Sequence, residues 1–368
     1  MPSIFKTALM NHVYVAIMAG GIGSRFWPQS RVAKPKQFLD ILDSGKSLLQ
    51  ITFDRFANIC PKENIRIITI DDYEYLVKEQ LPDIDSSQIL KEPIRRNTAP
   101  CIAYVCDKIH AHDPDASIIV VPSDHLILYE DKFLEIITRC LDFVESHNAL
   151  VTLGIKPTRP STGYGYIQYD EEKKEGDFYK VKTFTEKPDT EIAKTFVKSG
   201  DFLWNSGMFV WKAKQIIEVM QKHLPEVMDC FAGGRTVYGT DKEKDFIENA
   251  YGQCTNISID YGVMEKADNV YTIPSKFGWS DIGSWDSLYE VFHKDYLGNA
   301  VMGKNVKIYD ASNNMIMVQD DKLVVLQGLE GYCVVDTKDV LLICEKTQEQ
   351  QLKAITIDLK KEDLDEYL

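Results

Sequence analysis

The 368-residue sequence lacks the marks of several protein classes. No apolar stretch approaches the ~20 residues that span a bilayer, and Lys6, Asn11 and His12 interrupt the first apolar segment, so no signal peptide is expected. The formal net charge is −14, whereas a nucleic-acid-binding protein needs a basic face. None of the eight cysteines forms a C-x-x-C pair. We therefore expect reduced thiols in a cytoplasmic protein that binds neither nucleic acid nor membrane.

Two common phosphate-binding motifs are also missing. Gly21 and Gly23 match the first two glycines of G-x-G-x-x-G, but Phe26 occupies the third position. Gly45-Lys46-Ser47 matches the end of a P-loop, but Asp40 stands where the motif requires its first glycine. The first departure disfavours a nicotinamide-dependent oxidoreductase, and the second excludes a P-loop.

A glycine-rich segment nevertheless follows the first predicted strand, Val13–Met18. Gly20, Gly21 and Gly23 allow the backbone to approach a ligand, and the exposed N–H groups of such a turn bind anions. Four cations follow; they are Arg25, Arg31, Lys34 and Lys36. This combination indicates binding of a nucleoside triphosphate, with a plain strand-to-helix connection as the alternative.

Apolar strands alternate with amphipathic helices in the first half of the chain. Strands are predicted at Val13–Met18, Ile65–Ile70, Ser117–Val121 and Ala149–Gly154, and helices at Ser47–Ile59 and Phe133–His147. The alternation is typical of an α/β fold with a mostly parallel sheet and helices on both faces. Ligands of such sheets bind at the carboxyl ends of the strands, where the glycine-rich segment lies.

The sequence pattern changes after about Leu297. Short apolar stretches recur every eight or nine residues, at Met315–Val318, Leu323–Leu326, Tyr332–Val335 and Val340–Ile343. They predict a small all-β domain, either coils of a β-helix or an up-and-down meander, followed by a short helix near Gln348–Ile355. We therefore expect domains at 1–296 and 297–368. Uncovered strand edges in the smaller domain would favour a homodimer.

The segments GGIGSRFWPQSR and KPKQFL resemble the signature loop of the sugar-1-phosphate nucleotidylyltransferases. Their W-P-x-S-R and P-K-Q-F details, with E-P-x-x-R-N-T-A-P from Glu92 to Pro100, are similar to the branch that uses GTP and mannose 1-phosphate. Ser24 stands where the family more often has threonine. The resemblance implies a Rossmann-like nucleotidyltransferase sheet and a left-handed β-helix-like C-terminal domain. It also implies Mg²⁺-assisted, in-line transfer of GMP from GTP to mannose 1-phosphate, which yields GDP-mannose and pyrophosphate.

The resemblance further implies roles for particular residues. Arg25 and Lys36 would be catalytic residues on the triphosphate, and Asp124 and Asp281 would hold Mg²⁺. Other nucleotide contacts would come from Gly20, Gly21, Gly23, Ser24, Glu92, Arg96, Asn97 and Thr98. The sugar phosphate would be bound by Gly165, Glu186, Lys187 and Asn205.

Some of these residues have structural alternatives. Asp124 follows a buried strand, which places it at the ligand edge, but a turn or helix-cap aspartate would look the same. Thr98 is expected to cap a helix whose first turn contains Pro100. Asp286 competes with Asp281 as a metal ligand, but we interpret it as a first-turn residue favoured by the helix dipole.

Two other functions remain open. The same chemistry could act on another sugar 1-phosphate, such as a heptose 1-phosphate, because one sequence does not fix which hydroxyl groups are recognised. A non-catalytic sensor of nucleotide sugars could share the fold. The presence of Lys36, Asp124 and Asp281 argues against a sensor, which has no need of all three.

Overall fold

Residues 11–368 are described by a computed structural model of the protein. Residues 1–10, which include Lys6 and the start of the expected 1–296 domain, lie outside the described residues. The described chain divides into two compact units. The first unit holds residues 11–20, 52–123 and 127–279, and the second unit holds residues 21–51, 124–126 and 280–368.

Outside the segment 19–47, which contains only two short 3₁₀-helices, strands and α-helices follow one another closely along the described chain. The strands are β1 (Val13–Met18), β2 (Ile65–Ile70), β3 (Ile89–Glu92), β4 (Ser117–Pro122), β5 (Leu126–Ile127), β6 (Leu150–Ile155), β7 (Tyr166–Glu175), β8 (Phe178–Thr185), β9 (Phe202–Lys212), β10 (Val270–Ser275), β11 (Trp279–Ser280), β12 (Ala300–Met302), β13 (Val306–Tyr309), β14 (Met315–Met317), β15 (Val324–Gln327), β16 (Tyr332–Asp336) and β17 (Leu341–Glu345). The α-helices are α1 (Leu48–Phe56), α2 (Glu74–Gln80), α3 (Thr98–His112), α4 (Glu130–Ser146), α5 (Thr190–Ser199), α6 (Ala213–His223), α7 (Pro225–Cys230), α8 (Glu243–Gln253), α9 (Trp285–Val291) and α10 (Leu352–Lys361).

The first unit is built on a nine-stranded sheet with the order β3-β2-β1-β4-β9-β6-β10-β8-β7. β1 runs parallel to β2 and β4, β3 extends this parallel run beside β2, and β6 pairs in parallel with β10. β9 lies antiparallel between β4 and β6. The mostly parallel α/β sheet expected from the sequence is therefore confirmed, and β1 and β2 have the predicted bounds.

Burial on both faces explains why these strands are mainly apolar, and why β1 is an uninterrupted apolar stretch. The first five residues of β1 are buried. On one face of the sheet, α3 places Ile102, Val105 and Ile109 in the same core cluster as Ile118 of β4. Their spacing of three and four residues puts them on one side of the helix. The carboxyl ends of β1, β3 and β4 lead into the segments that carry the predicted site residues.

The small strands of the second unit stack in parallel as coils. Ala300 pairs with Met315 and Met315 with Cys333, while Val306 pairs with Val324 in a separate parallel ladder. A meander would pair consecutive strands antiparallel, as β16 and β17 do. The β-helix-like domain is therefore confirmed, and the meander alternative is wrong.

The C-terminal helix differs from its expected position near Gln348–Ile355. A 3₁₀-helix at Lys346–Gln351 comes first, and α10 then extends to Lys361. Lys360 and Lys361 lie in the last turn, where positive side chains complement the helix dipole and favour the added length. No helix in residues 11–368 has the length and apolar character needed to cross a membrane.

Candidate functional site

The glycine-rich segment of the second unit is a loop held in place by side-chain hydrogen bonds. Gly23 has a φ of 66°, and a Cβ at this position would lie 2.6 Å from the Cβ of Lys36. The backbone therefore needs glycine here, for its conformation and for the close approach. The Ser30 hydroxyl donates to the Gly23 carbonyl (2.7 Å), and the Gln37 side-chain amide donates to the Gly21 carbonyl (2.9 Å).

Ser24 and Arg25 lie on a short 3₁₀-helix, Ser24–Phe26. Phe26 anchors this turn, since its ring packs 4.9 Å from that of Trp285, centroid to centroid. Arg25 itself is exposed. A rigid turn thus presents a guanidinium group to solvent, in the form suited to forked hydrogen bonds with phosphate oxygens.

Lys36 is a buried cation that is surrounded by oxygen atoms. The residue is only 3 % exposed. Its Nζ lies 2.8 Å from Asp124 Oδ2 and donates to the carbonyl oxygens of Asp281 (2.9 Å) and Ile282 (2.7 Å). These partners offset the cost of removing the ammonium group from water. Three residues that the sequence analysis singled out, Lys36, Asp124 and Asp281, therefore come together in the second unit.

Asp124 stays ionised in this setting. Burial acts to raise the pKa of its carboxyl group, but the charge of Lys36 and a smaller contribution from His125 outweigh that effect, so the pKa lies below its ordinary value. The Asp124 side chain is 32 % exposed. A carboxylate that is held negative and partly open to solvent can accept a cation.

The turn after β11 is strained where it meets Lys36. Ile282 is a buried, β-branched residue with a φ of 39°, a conformation that such residues rarely adopt. The Asp281 carboxylate accepts the Gly283 N–H at 3.1 Å, and a Cβ on Gly283 would lie 2.3 Å from Asp281 Oδ2. The turn thereby directs two consecutive carbonyl groups to one ammonium group.

In the first unit, Glu92 and Arg96 both contact Tyr251. The Tyr251 hydroxyl donates to Glu92 Oε1 (3.1 Å), and Arg96 Nε donates to the Tyr251 carbonyl (3.1 Å). Glu92 is 6 % exposed, and its burial raises the pKa of the carboxyl group to about 7, against the opposing effect of the Tyr251 hydrogen bond. A Cβ on Gly20 would lie 3.3 Å from Glu92 Oε2. The structure therefore groups Gly20, Glu92 and Arg96.

The cap of α3 is Asn97, so the expectation that Thr98 caps this helix is wrong. Asn97 has a φ of 66°, and its Oδ1 accepts the Thr98 N–H at 2.9 Å. Asparagine tolerates positive φ better than threonine, which is β-branched. Thr98 is the first helical residue, and its hydroxyl oxygen accepts the N–H of Ile259 instead (2.9 Å). Pro100 lies in the first turn as expected.

The predicted sugar residues also form a group in the first unit. A Cβ on Gly165 would lie 2.4 Å from Glu186 Oε2 and 3.4 Å from the Cβ of Asn205. Lys187 Nζ lies 2.7 Å from Glu186 Oε1. Gly165 is therefore needed for the close packing of a carboxylate and an amide, the side chains that commonly bind sugar hydroxyl groups.

Asp260 belongs to this group but was missed by the sequence analysis. Its Oδ1 accepts a hydrogen bond from Asn205 Nδ2 at 2.9 Å. Burial, followed by the charge of Glu186, raises the pKa of Asp260 to about 7. In the sequence it is a single aspartate between Ile259 and Tyr261, and no spacing rule distinguishes it from a turn residue.

A sequence model of the Nucleotidyl transferase family matches residues 14–297. The chain belongs to this family. A second model, the MannoseP isomerase/GMP-like beta-helix domain, matches residues 303–359. The two matches agree with the α/β sheet and with the parallel coils described above.

Individual relatives of this nucleotidyl transferase extend over most of its length. Mannose-1-phosphate guanylyltransferase of Salmonella typhimurium is 38 % identical over 359 residues, which cover 95 % of this chain and 73 % of the relative. The protein of the same name from Klebsiella pneumoniae is 37 % identical over 358 residues, or 95 % and 74 % of the two chains. The crystal structure of a protein described as mannose-1-phosphate geranyltransferase, from Thermus thermophilus, is similar with a TM-score of 0.84 and 31 % identity, and covers 95 % of this chain and 99 % of that one.

Nucleotidyl transferases generally use a divalent metal ion, and Asp124 and Asp281 have the type of side chain that such an ion binds. Carboxylate oxygens are the ligands that Mg²⁺ prefers, usually one or two of them together with substrate phosphates and water. Lys36 contacts the side chain of Asp124 and the main chain of Asp281, so both residues adjoin one ammonium group. Among residues 11–368, no three His, Cys, Asp or Glu side chains gather as a metal cluster.

Proposed function

We propose that this nucleotidyl transferase moves GMP from GTP to α-D-mannose 1-phosphate and forms GDP-mannose and pyrophosphate. The observation that carries the proposal is the buried Lys36 ammonium, which Asp124 and two backbone carbonyl groups hold in place. The choice of GTP and mannose 1-phosphate is supported by relatives that carry the name mannose-1-phosphate guanylyltransferase.

Transfer occurs in line, when an oxygen of the sugar phosphate attacks the α-phosphorus and pyrophosphate leaves. The protein forms no covalent bond in this scheme, so its contribution is to position the reactants and to stabilise charge. The backbone N–H groups of Gly20, Gly21, Gly23 and Ser24 would contact the phosphates, and Arg25 would form forked hydrogen bonds with them.

Lys36 stabilises the negative charge that develops on the triphosphate. Its Nζ has three N–H groups and three oxygen partners. We assign the two carbonyl contacts a permanent role, because they belong to an ordered turn. The Asp124 contact is the one that exchanges for a phosphate oxygen. Mg²⁺, held by Asp124 and Asp281, would neutralise phosphate charge and orient the leaving pyrophosphate.

The remaining residues select the substrates. Glu92, Arg96, Asn97 and Thr98 would contact the base and ribose, and Gly165, Glu186, Lys187 and Asn205 the hexose and its phosphate. We assign these roles to a domain at 1–296, with the β-helix at 297–368. A reducing, cytoplasmic location is part of the proposal, supported by the eight cysteines, all of which are free thiols, and a homodimer is its expected assembly.

Pyrophosphate release tests the proposal over a grid of four nucleoside triphosphates and several hexose or heptose 1-phosphates, with Mg²⁺ present. Release confined to GTP with mannose 1-phosphate is the expected result. Release with GTP and a heptose 1-phosphate would keep the chemistry and replace the sugar. Tight binding of GDP-mannose without release from any pair would favour the non-catalytic sensor.

A further inference from the structure

The amide of Asn205 is held in a single orientation by three groups. Its Oδ1 accepts from the Gly207 N–H (3.1 Å) and lies 3.0 Å from the Thr152 hydroxyl, whose single proton can also go to the Met208 carbonyl (3.2 Å). The Gly207 N–H can only donate, so the atom it meets is the oxygen, and Nδ2 must point the other way, to Asp260 Oδ1 at 2.9 Å. Since Asp260 accepts from one of the two N–H groups on Nδ2, the second can serve a hydroxyl group of a ligand.

Asp260 lies in an unusual stretch of backbone. Residues Asp260–Met264 form a π-helix, a conformation that is rare in proteins and often found at functional sites. The segment just before it is tied to the start of α3. Ala99 donates its N–H to the Ile257 carbonyl (3.1 Å), and Ile259 donates its N–H to the Thr98 hydroxyl (2.9 Å). Residues 257–260 therefore connect Thr98, a proposed nucleotide contact, with Asn205, a proposed sugar contact.

We propose that Asp260 is a positioning residue for hexose recognition, which holds the Asn205 amide so that it can donate to a sugar hydroxyl group. The inference rests on the proposed function and deepens it, since it adds to the sugar site a residue that does not itself touch the sugar. A hydrogen bond to an ionised acceptor is roughly twice as strong as one between neutral groups. The ionised form of Asp260 is therefore the one that fixes Asn205.

The charges around Asp260 make this effect depend on pH. Glu186 and Lys187 face it from the loop after β8, Asn205 faces it from β9, and Glu265, on its own segment, lies near Glu186. With burial and Glu186 raising the pKa of Asp260 to about 7, the carboxyl group is neutral below that pH and ionised above it. Affinity for the hexose should therefore increase as pH rises through about 7.

GDP-mannose binding by calorimetry tests the proposal at pH 6, 7 and 8, with the β-methyl ester of GDP as the control ligand. The ester lacks the hexose and, like GDP-mannose, has no phosphate group that titrates in this pH range, so the ratio of the two dissociation constants isolates hexose recognition from guanine and phosphate effects, including any titration of Glu92. For the wild type we expect the advantage of GDP-mannose over the ester to increase about tenfold between pH 6 and pH 8. Asp260→Asn keeps an acceptor for Asn205 but loses the charge, so its ratio should not change with pH. For Asp260→Ala, the advantage of GDP-mannose over the control ligand should not change with pH and should be smaller than for Asp260→Asn.

Glu265→Gln is the matched control, since it removes a nearby carboxylate with a raised pKa that does not contact Asn205. It should keep the wild-type pH dependence. A wild-type ratio that is constant with pH would overturn the inference without any variant, so the test does not depend on the folding of Asp260→Asn. The inference is also wrong if Glu265→Gln abolishes the dependence, or if both Asp260 variants keep it. Failure of the wild type to bind GDP-mannose at all is a different result, and would remove the proposed function together with the inference.

Discussion

Replacement of Lys36 by methionine removes one positive charge and little volume. The ammonium group is preorganised by Asp124 and by the carbonyl groups of Asp281 and Ile282, so it needs no reorganisation when charge develops on the triphosphate. Loss of one such preorganised donor typically costs a factor of about 10²–10³ in kcat, or roughly 3–4 kcal/mol of transition-state stabilisation. We expect kcat/KM of Lys36→Met to fall by that factor.

The same change should leave the protein folded. It deprives two carbonyl groups of a donor, which costs about 1–3 kcal/mol per buried group that stays unpaired. It also removes the desolvation cost of a buried ammonium group, and the Asp124 carboxylate, at 32 % exposure, can hydrate. We expect a net loss of about 1–3 kcal/mol in the free energy of unfolding, within the stability of a typical domain.

The assay couples pyrophosphate release to an optical signal, and thermal unfolding is followed on the same samples. Lys34→Met is the matched control, because Lys34 lies in the same segment but is exposed; its kcat/KM should stay within about twofold of the wild type. A folded Lys36→Met protein whose kcat/KM is within about threefold of the wild type would refute the reasoning.

Three further predictions concern the other groups. Asp124→Asn and Asp281→Asn should each raise the Mg²⁺ concentration for half-maximal rate by about tenfold or more, measured by metal titration of pyrophosphate release. Gly165→Ala places a Cβ 2.4 Å from Glu186 Oε2 and should raise KM for mannose 1-phosphate, while KM for GTP is unchanged. Glu92 has a folded-state pKa of about 7, above its ordinary 4.5, so its ionisation costs stability as pH rises between these values. The free energy of unfolding of Glu92→Gln, relative to that of the wild type, should therefore be about 2–3 kcal/mol more favourable to the folded state at pH 8 than at pH 5, measured by urea denaturation.

The first two of these predictions have matched controls in the chain. Asp286 lies in the first turn of α9, as the sequence predicts, so Asp286→Asn should not alter the Mg²⁺ titration. A Cβ on Gly163 would make only an ordinary van der Waals contact, 3.7 Å from Ser161 Oγ, so Gly163→Ala should not change KM for the sugar phosphate. For Glu92, equal stability gains at pH 5 and pH 8 would contradict the assigned pKa.

The central sheet could be predicted because buried strands consist mainly of apolar residues, which can be recognised in the sequence. Strands β1 and β2 are buried on both faces, so each consists mainly of apolar residues. The choice between β-helix and meander could not be made from the pattern alone, since both need short apolar strands at regular spacing. The pairing of Met315 with both Ala300 and Cys333 decides it, and such long-range pairing is not encoded in local periodicity.

The site was predicted best where its residues lie in recognisable segments. The structure groups Lys36 with Asp124 and Asp281, as the resemblance implies. The assignment of the α3 cap to Thr98 was wrong because two neighbouring residues can both cap a helix, and backbone φ decides between them. Asp260 was not predicted because its role depends on the Asn205 amide, 55 residues away in the sequence, and the residues next to Asp260 do not indicate that contact.

The reverse reaction tests the central claim most directly. Purified protein is incubated with GDP-mannose, pyrophosphate and Mg²⁺, and the nucleotides are separated and measured. The account predicts GTP and mannose 1-phosphate in equal amounts, at a rate that falls about 10²–10³-fold in Lys36→Met. Binding of GDP-mannose by the wild type with no formation of GTP would contradict it.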